Sequence, residues 1–358
     1  MTSGRESHDQ DGSDLAAVVG ATPGDRDDEA RRPPTVLERV QRTLHKYPAL
    51  GPFIVLVAMV VAFSLIAPDR FMRPFNLSLI VSQVTVVGTL AIGQTIIILT
   101  AGVDLSVGAA AVFASVVMAN LNVALGIPGP LALILGFAFG TACGLLNGLL
   151  ITRLKMPPFI VTLGTMSIFF ALNLFASGSA TVRGTDMDPI LTLPGEAVAI
   201  FDTRLVLGSL GMLVAYGVMM YVLRFTAWGR HIYATGDDPE AARLSGIRVD
   251  RLLVSVYAVA GLFYALGAWF LLGRINAASP QALQTANLES ITAVVIGGTS
   301  LFGGRGGVLG TLIGAIIVGT AINGLTIAGF DPLWQNFAVG LLIIVAVAID
   351  QWIRRVGQ

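Results

Sequence analysis

The chain has 358 residues, is 54% hydrophobic and only 12% charged, and balances 22 basic against 22 acidic residues to a net charge of zero. Soluble domains carry about twice that charged fraction, so the composition points to a membrane. Zero net charge provides neither the basic surface that nucleic acid requires nor an acidic excess for a cationic partner.

Residues 1–46 stand apart, mixing both charge signs with Gly, Ser and Pro and holding little that could form a core. They are expected to form a disordered cytoplasmic tail, followed by a transmembrane domain over 47–358. A short basic start running directly into an apolar stretch, the pattern of a secretory signal peptide, is absent. The first apolar run begins only near Leu50 and reads as an uncleaved helix.

From there, apolar runs of roughly the 20 residues that a bilayer core requires follow near 50–67, 77–99, 106–126, 129–151, 158–177, 204–224, 252–273, 288–302, 307–329 and 333–350. The expected fold is therefore an all-α polytopic membrane protein of about ten helices. The run at 288–302 is short and glycine-rich, which suggests a broken or tilted helix. Lys and Arg concentrate on the cytoplasmic side of short loops. With the N-terminus inside, seventeen of the twenty-two basic residues fall on that side, including the five between Arg224 and Arg251. An even number of spans also returns Arg354 and Arg355 to the cytoplasm, so both termini are expected there.

A weak internal repeat agrees with the count. Asn147-Gly148-Leu149-Leu150-Ile151 ends the fourth run, and Asn323-Gly324-Leu325-Thr326-Ile327 lies in the ninth. Five spans separate them, and an odd number per half means inverted halves, here a five-plus-five plan.

Several kinds of chemistry lack their residues. No glycine-rich phosphate loop ending in Gly-Lys-Ser or Gly-Lys-Thr occurs. The stretch from Gly297 to Gly307 has no lysine and reads as close packing around a helix break. Cys143 lies inside an apolar run and reads as an inert thiol; with three scattered histidines no metal site is expected. Nucleophile, base and ligands do not converge at a span end, so the chain is not expected to be an enzyme.

The spans hold mostly neutral polar groups, among them Gln83, Gln94, Asn147 and Asn323. Gln94, Asn147 and Asn323 lie deepest among small residues and are the candidates for a translocation path. Asp104, at a span end before an apolar run, reads as a cap for the third helix. An ion-coupled sugar transporter is the alternative, and the scarcity of titratable groups within the spans weighs against it.

One long polar segment interrupts the apolar chain, TAWGRHIYATGDDPEAARLSGIRVDR over 226–251. Asp237 or Asp238 can cap a helix whose first position suits Pro239 and whose first turn holds Glu240. Arg243 sits late in it and Gly246 can close it. A helix of about two turns is unstable alone in water and needs a partner surface.

GQTIIILTAGVDLSVGA, PPFIVTLGT, TAWGRHIYATGDDPEAARLSGI and ITAVVIGGTSLFGGRGGVLGTLIGA, in this order, resemble the permease subunits of bacterial ATP-binding-cassette importers for monosaccharides, the ribose-permease family. The similarity covers about residues 47–355. TAWGRHIYATGDDPEAARLSGI and GLLIIVAVAIDQWIRR look most like the fructose permeases of that family, whose importers are described as also handling ribose and mannose.

The resemblance implies an inner-membrane translocation subunit paired with a second permease copy, two cytoplasmic ATPase subunits that bind ATP and magnesium, and a periplasmic sugar-binding protein. No cofactor is implied for this chain, and its partners besides these are membrane lipids, not nucleic acid. The family's coupling helix matches Asp237, Asp238, Pro239, Glu240, Ala241, Ala242, Arg243, Leu244, Ser245 and Gly246. Ala241, Ala242 and Leu244 are expected to supply its apolar contact, and Glu240 and Arg243 its rim charges.

Overall fold

The computed structural model describes residues 50–200 and 203–331, and of the rest only 333–335, 337, 338, 340, 341 and 344. The tail of 1–46 and most of the tenth apolar run, 333–350, lie outside the described residues.

The other nine runs all form helices: α1 (Leu50–Ile66), α2 (Pro74–Leu99), α3 (Val107–Val123), α4 (Gly129–Arg153), α5 (Pro158–Ser177), α7 (Leu207–Phe225), α10 (Val249–Ile275), α11 (Ala286–Ile296) and α12 (Val308–Ile327). Between them lie the short α6 (Pro189–Thr192) and, in the polar segment, α8 (Ala227–Asp237) and α9 (Pro239–Leu244). Among the described residues α2, α4, α5, α7, α10 and α12 are long and apolar enough to cross a membrane, while α1, α3 and α11 are shorter apolar helices. The chain is a mostly helical, polytopic membrane protein.

Local chemistry sets the helix ends. Pro74, Pro130 and Pro158 open α2, α4 and α5, where a missing N–H costs nothing. Gly178 and Asn276 stop α5 and α10 in the left-handed conformation. Within the run at 288–302 the helix ends at Ile296, and a turn follows in which Gly298, Gly303, Gly304 and Gly306 all take positive φ.

α2 lies at the centre, with every residue from Val84 to Leu99 buried. A helix apolar all round belongs inside a bundle. α10 packs against it and against α4. Gly140, Gly144 and Gly148 on one face of α4 meet Tyr257, Gly261 and Ala265 of α10; a Cβ at Gly144 would run into the Tyr257 carbonyl, and one at Gly261 into that of Gly140. Small residues four apart let helix backbones approach this closely. The same device joins α11 to α12, where a Cβ at Gly310 would meet the Gly297 carbonyl and one at Gly314 that of Ala293.

The all-α expectation needs one correction, because four short strands form two antiparallel pairs. β2 (Ala197–Ile200) and β3 (Thr203–Val206) make a hairpin ahead of α7. β1 (Val182–Arg183) pairs with β4 (Ala277–Ala278), in the register Val182 to Ala278 and Arg183 to Ala277. Loop backbone between apolar helices must pair its N–H and C=O groups somewhere. Here the segment after α5 and the segment after α10 satisfy each other.

Candidate coupling and translocation sites

The polar segment folds as two helices, and the first was not foreseen. The Thr226 hydroxyl oxygen accepts from Gly229 N (3.2 Å) to open α8, whose residues Gly229, Ile232, Thr235 and Gly236 are buried. That spacing is a helical stripe, and it was present in the sequence beneath a mostly polar surface. Three contacts fasten α8 to the bundle. Trp228 Nε1 donates to Ser255 Oγ of α10 (2.8 Å), and the Tyr233 hydroxyl donates to the Gly306 carbonyl (2.9 Å). Burial raises the Tyr233 hydroxyl above an ordinary phenol, which keeps it a donor. Gly236 lies directly on the Leu99 carbonyl at the end of α2, with no room for a Cβ. The same carbonyl accepts from Gly304 N (3.0 Å), and a Cβ on Gly303 would come within 2.6 Å of the Gly236 carbonyl. The close-packing role expected for the Gly297–Gly307 stretch is met here, at a junction of α2, α8 and the turn before α12.

Of the two aspartates offered as a cap, Asp237 is the last residue of α8 and Asp238 does the capping. Asp238 is extended, and its Oδ1 accepts from Glu240 N (2.9 Å) and Ala241 N (3.0 Å), with Pro239 at the first position. At the other end Gly246 has φ +86°, Gly246 N donates to Arg243 O (2.9 Å) and Ile247 N to Ala242 O (3.0 Å). These are the two bonds of a Schellman stop. Arg243 pairs with Glu240 (3.0 Å) and with Asp250 (3.5 Å), both in the open. Leu244 is 90% exposed, whereas Ala242, expected on the contact face, is 4% exposed and packs inward. The free apolar face is therefore Ala241 and Leu244, because a six-residue helix lying on a bundle must turn one side to it.

A second polar cluster is buried. The turn between α2 and α3 holds Asp104, fully enclosed, whose Oδ1 accepts from Ser106 N and Ser106 Oγ (both 2.7 Å) and whose Oδ2 accepts from the Tyr264 hydroxyl (3.0 Å). Ser106 occupies the N-cap position of α3 but makes no side-chain cap bond, and the Asp104 carboxylate two residues earlier accepts from Ser106 N instead, so the capping role expected of Asp104 is met from just outside the helix. It lies at a span end, as expected, but is enclosed there by the surrounding helices.

Gln94 grips the same turn, donating to the Asp104 carbonyl (3.1 Å) and accepting from Asp104 N–H (3.2 Å) with its amide turned to suit. Asn147 Nδ2 donates to Ser106 Oγ (2.9 Å), leaving its buried Oδ1 without a partner. Gln94 and Asn147 thus converge. Asn323 does not join them; it is buried on α12, its Oδ1 also unpartnered, beside Gly324, which packs on Phe63 of α1. Among the described residues no group of three or more His, Cys, Asp or Glu could hold a metal ion.

Between α2, α10, α11 and α12 lies a cavity of about 290 Å3 whose polar lining is Gln83, Arg274, Gln284, Thr285 and Glu289. None of Gln94, Asn147 and Asn323 lines it.

A model of the family described as "Branched-chain amino acid transport system / permease component" matches residues 76–347. The fructose import permease of Rhizobium meliloti is 49% identical over 326 residues, covering 90% of this chain and 91% of its own length. The ribose import permease of Bacillus subtilis is 40% identical over 84% of this chain and 92% of its own. The galactose/methyl galactoside import permease of Escherichia coli is 36% identical over 84% and 93%. No solved structure matches.

Proposed function

The chain belongs to this permease family, within its group of monosaccharide permeases for ATP-binding-cassette importers, and on that premise we propose that it translocates fructose, with ribose and mannose as further substrates. The observation that carries fructose is the 49% identity to a fructose permease across 90% of the chain. The chain itself carries out no catalysis. A separate cytoplasmic ATPase subunit binds ATP and magnesium, and a periplasmic binding protein delivers the sugar.

The charge asymmetry supports an inner-membrane orientation with both termini and the 226–251 segment in the cytoplasm. The five-plus-five inverted plan belongs to the same proposal. It draws support from the packing, since α10 lies on α3 and α4 as α2 lies on α11 and α12, and α3 pairs with α4 as α11 does with α12. A second copy of the chain completes the pore, and lipid or that copy covers exposed apolar residues such as Phe159, Phe170 and Phe175 of α5.

The ATPase docks on α9, at Asp237 to Leu244 and Gly246, with Ala241 and Leu244 as its apolar contact and Glu240 and Arg243 at the rim. Motion of α9 passes through Gly236 to the end of α2, and through Tyr233 to the turn that precedes α12. Those helices come from both proposed halves, so one push alters their relation. Gln94, Asn147 and Asn323 are retained as path residues; the unpartnered carbonyls of Asn147 and Asn323 give them free acceptors for a sugar hydroxyl.

Uptake of labelled monosaccharides by a strain lacking the gene, with and without the restored chain, tests the assignment. Restored fructose uptake is expected; restoration of no monosaccharide overturns it. One observation favours ion-coupled transport, the enclosed Asp104, but three donors already occupy its oxygens. Uptake abolished by an uncoupler while ATP stays high would select that alternative.

A further inference from the structure

The cavity between α2, α10, α11 and α12 has no part in the coupling contacts, and its lining is unusual for this apolar bundle. Arg274 is the penultimate residue of α10, Glu289 lies in the first turn of α11, and Gln83 sits roughly 14 Å along α2 at 1.5 Å per residue. The Arg274 guanidinium donates to the Gln83 main-chain carbonyl (3.2 Å), and the Thr285 hydroxyl donates to Glu289 Oε1 (2.6 Å). No salt bridge joins Arg274 to Glu289, although both line the same space. Gln83 Oε1 is buried and has no hydrogen-bond partner. An orphaned buried acceptor is costly and calls for a donor.

We infer that this cavity is a monosaccharide-recognition subsite on the translocation path, a step that rests on the chain being a sugar permease. A volume of about 290 Å3 is at the low end of small-molecule pockets, which run to ~1,000 Å3, and suits one sugar ring instead of an oligosaccharide. A sugar hydroxyl both donates and accepts. The Arg274 fork supplies donors, Glu289 supplies an acceptor, and the amides of Gln83 and Gln284 supply both, the Gln83 side chain turning to bring its enclosed Oε1 to the ring. Val84, Ala315 and Val318 form an apolar wall for the C–H face of the ring. Leu283, Gln284 and Thr285 lie just beyond β4, and β4 pairs with β1. The subsite thus lies under the paired segments that the proposed orientation faces to the periplasm. Sugar released by a binding protein meets it before the buried Asp104 turn.

The test uses the complete importer in cells, in two stages. A monosaccharide panel with the unaltered chain first identifies the transported sugar; transport of none overturns the sugar-permease assignment itself. With that sugar, Gln83→Ala and Glu289→Ala are expected to lower the maximal uptake rate about tenfold or more, the scale of one or two lost hydrogen bonds to substrate. Discrimination between epimers is expected to fall with it, at unchanged membrane abundance. Val87→Trp, which fills the cavity, should stop transport. Should the alanine variants fail to reach the membrane, Glu289→Gln preserves shape and one acceptor while removing the charge, and a smaller fall in rate and selectivity is expected of it. Wild-type rate and epimer selectivity in Glu289→Gln and Gln83→Ala, with the panel result intact, overturn the subsite and leave the sugar permease standing.

Discussion

The α9 helix and the turn around Asp104 are both small polar structures in an apolar protein, yet they are held in opposite ways. Every hydrogen bond of α9 is local, from the Asp238 cap to the Gly246 stop, and its charged side chains are in the open. Those of the Asp104 turn reach to Gln94, Asn147 and Tyr264, on three different helices, and all are buried. A locally closed helix can move as a body without breaking its own bonds. A turn tied to α2, α4 and α10 cannot shift alone without stranding an acid. In the proposed importer the first is a handle and the second a rigid hub, and they are linked where Gly236 of α8, just before α9, lies on Leu99 of α2, just before the Asp104 turn.

The sharpest way to break that contrast is to wedge the two apart. Gly236→Val forces a branched side chain onto the Leu99 carbonyl, and overpacking of this kind costs about 1–3 kcal/mol; sugar uptake should be lost even where the protein reaches the membrane, as uptake assays and membrane immunoblots will read. Next comes the hub. Tyr264→Phe leaves Asp104 Oδ2 short of its donor, which should lower stability by about 1–3 kcal/mol, visible as a reduced thermal midpoint in detergent.

The handle should respond less. Asp238→Ala removes the cap and about 1 kcal/mol of helix stability, so amide exchange in Pro239–Leu244 should quicken while the global midpoint stays put. Gly246→Val strains the left-handed stop, and the same exchange measurement should detect it. The smallest structural effect belongs to Glu240→Lys, which breaks an exposed pair with Arg243 and opposes the helix dipole. Stability should not change, but ATPase docking in pull-down should weaken. Equal exchange rates around Asp104 and in α9 across these variants would erase the distinction between hub and handle.

How legible each region is in the sequence follows from the same difference. Asp238, Pro239, Glu240 and Gly246 act within a few residues of their positions, so cap, start and stop can be read from spacing alone. The glycine turn at Gly297–Gly307 also announces its helix break, although not which backbones it meets. The span-end place of Asp104 is legible from its neighbours, but its enclosure is not, because its partners Gln94, Asn147 and Tyr264 lie up to 160 positions away. Ala242 could not be assigned a side without knowing where the bundle lies. α8 was hidden because Arg230, His231 and Asp237 mask the stripe of Gly229, Ile232 and Gly236. The β1–β4 pairing joins segments nearly a hundred residues apart and leaves no local signature.

The central claim is that nucleotide energy, supplied by another subunit, reaches the sugar path through α9. Sealed proteoliposomes carrying the chain with its ATPase, supplied with binding protein, sugar and enclosed ATP, measure this directly. Accumulation of sugar that requires both ATP and the ATPase, persists with an uncoupler and disappears with Gly236→Val is the predicted result. Accumulation by the chain alone, without the ATPase, would contradict it.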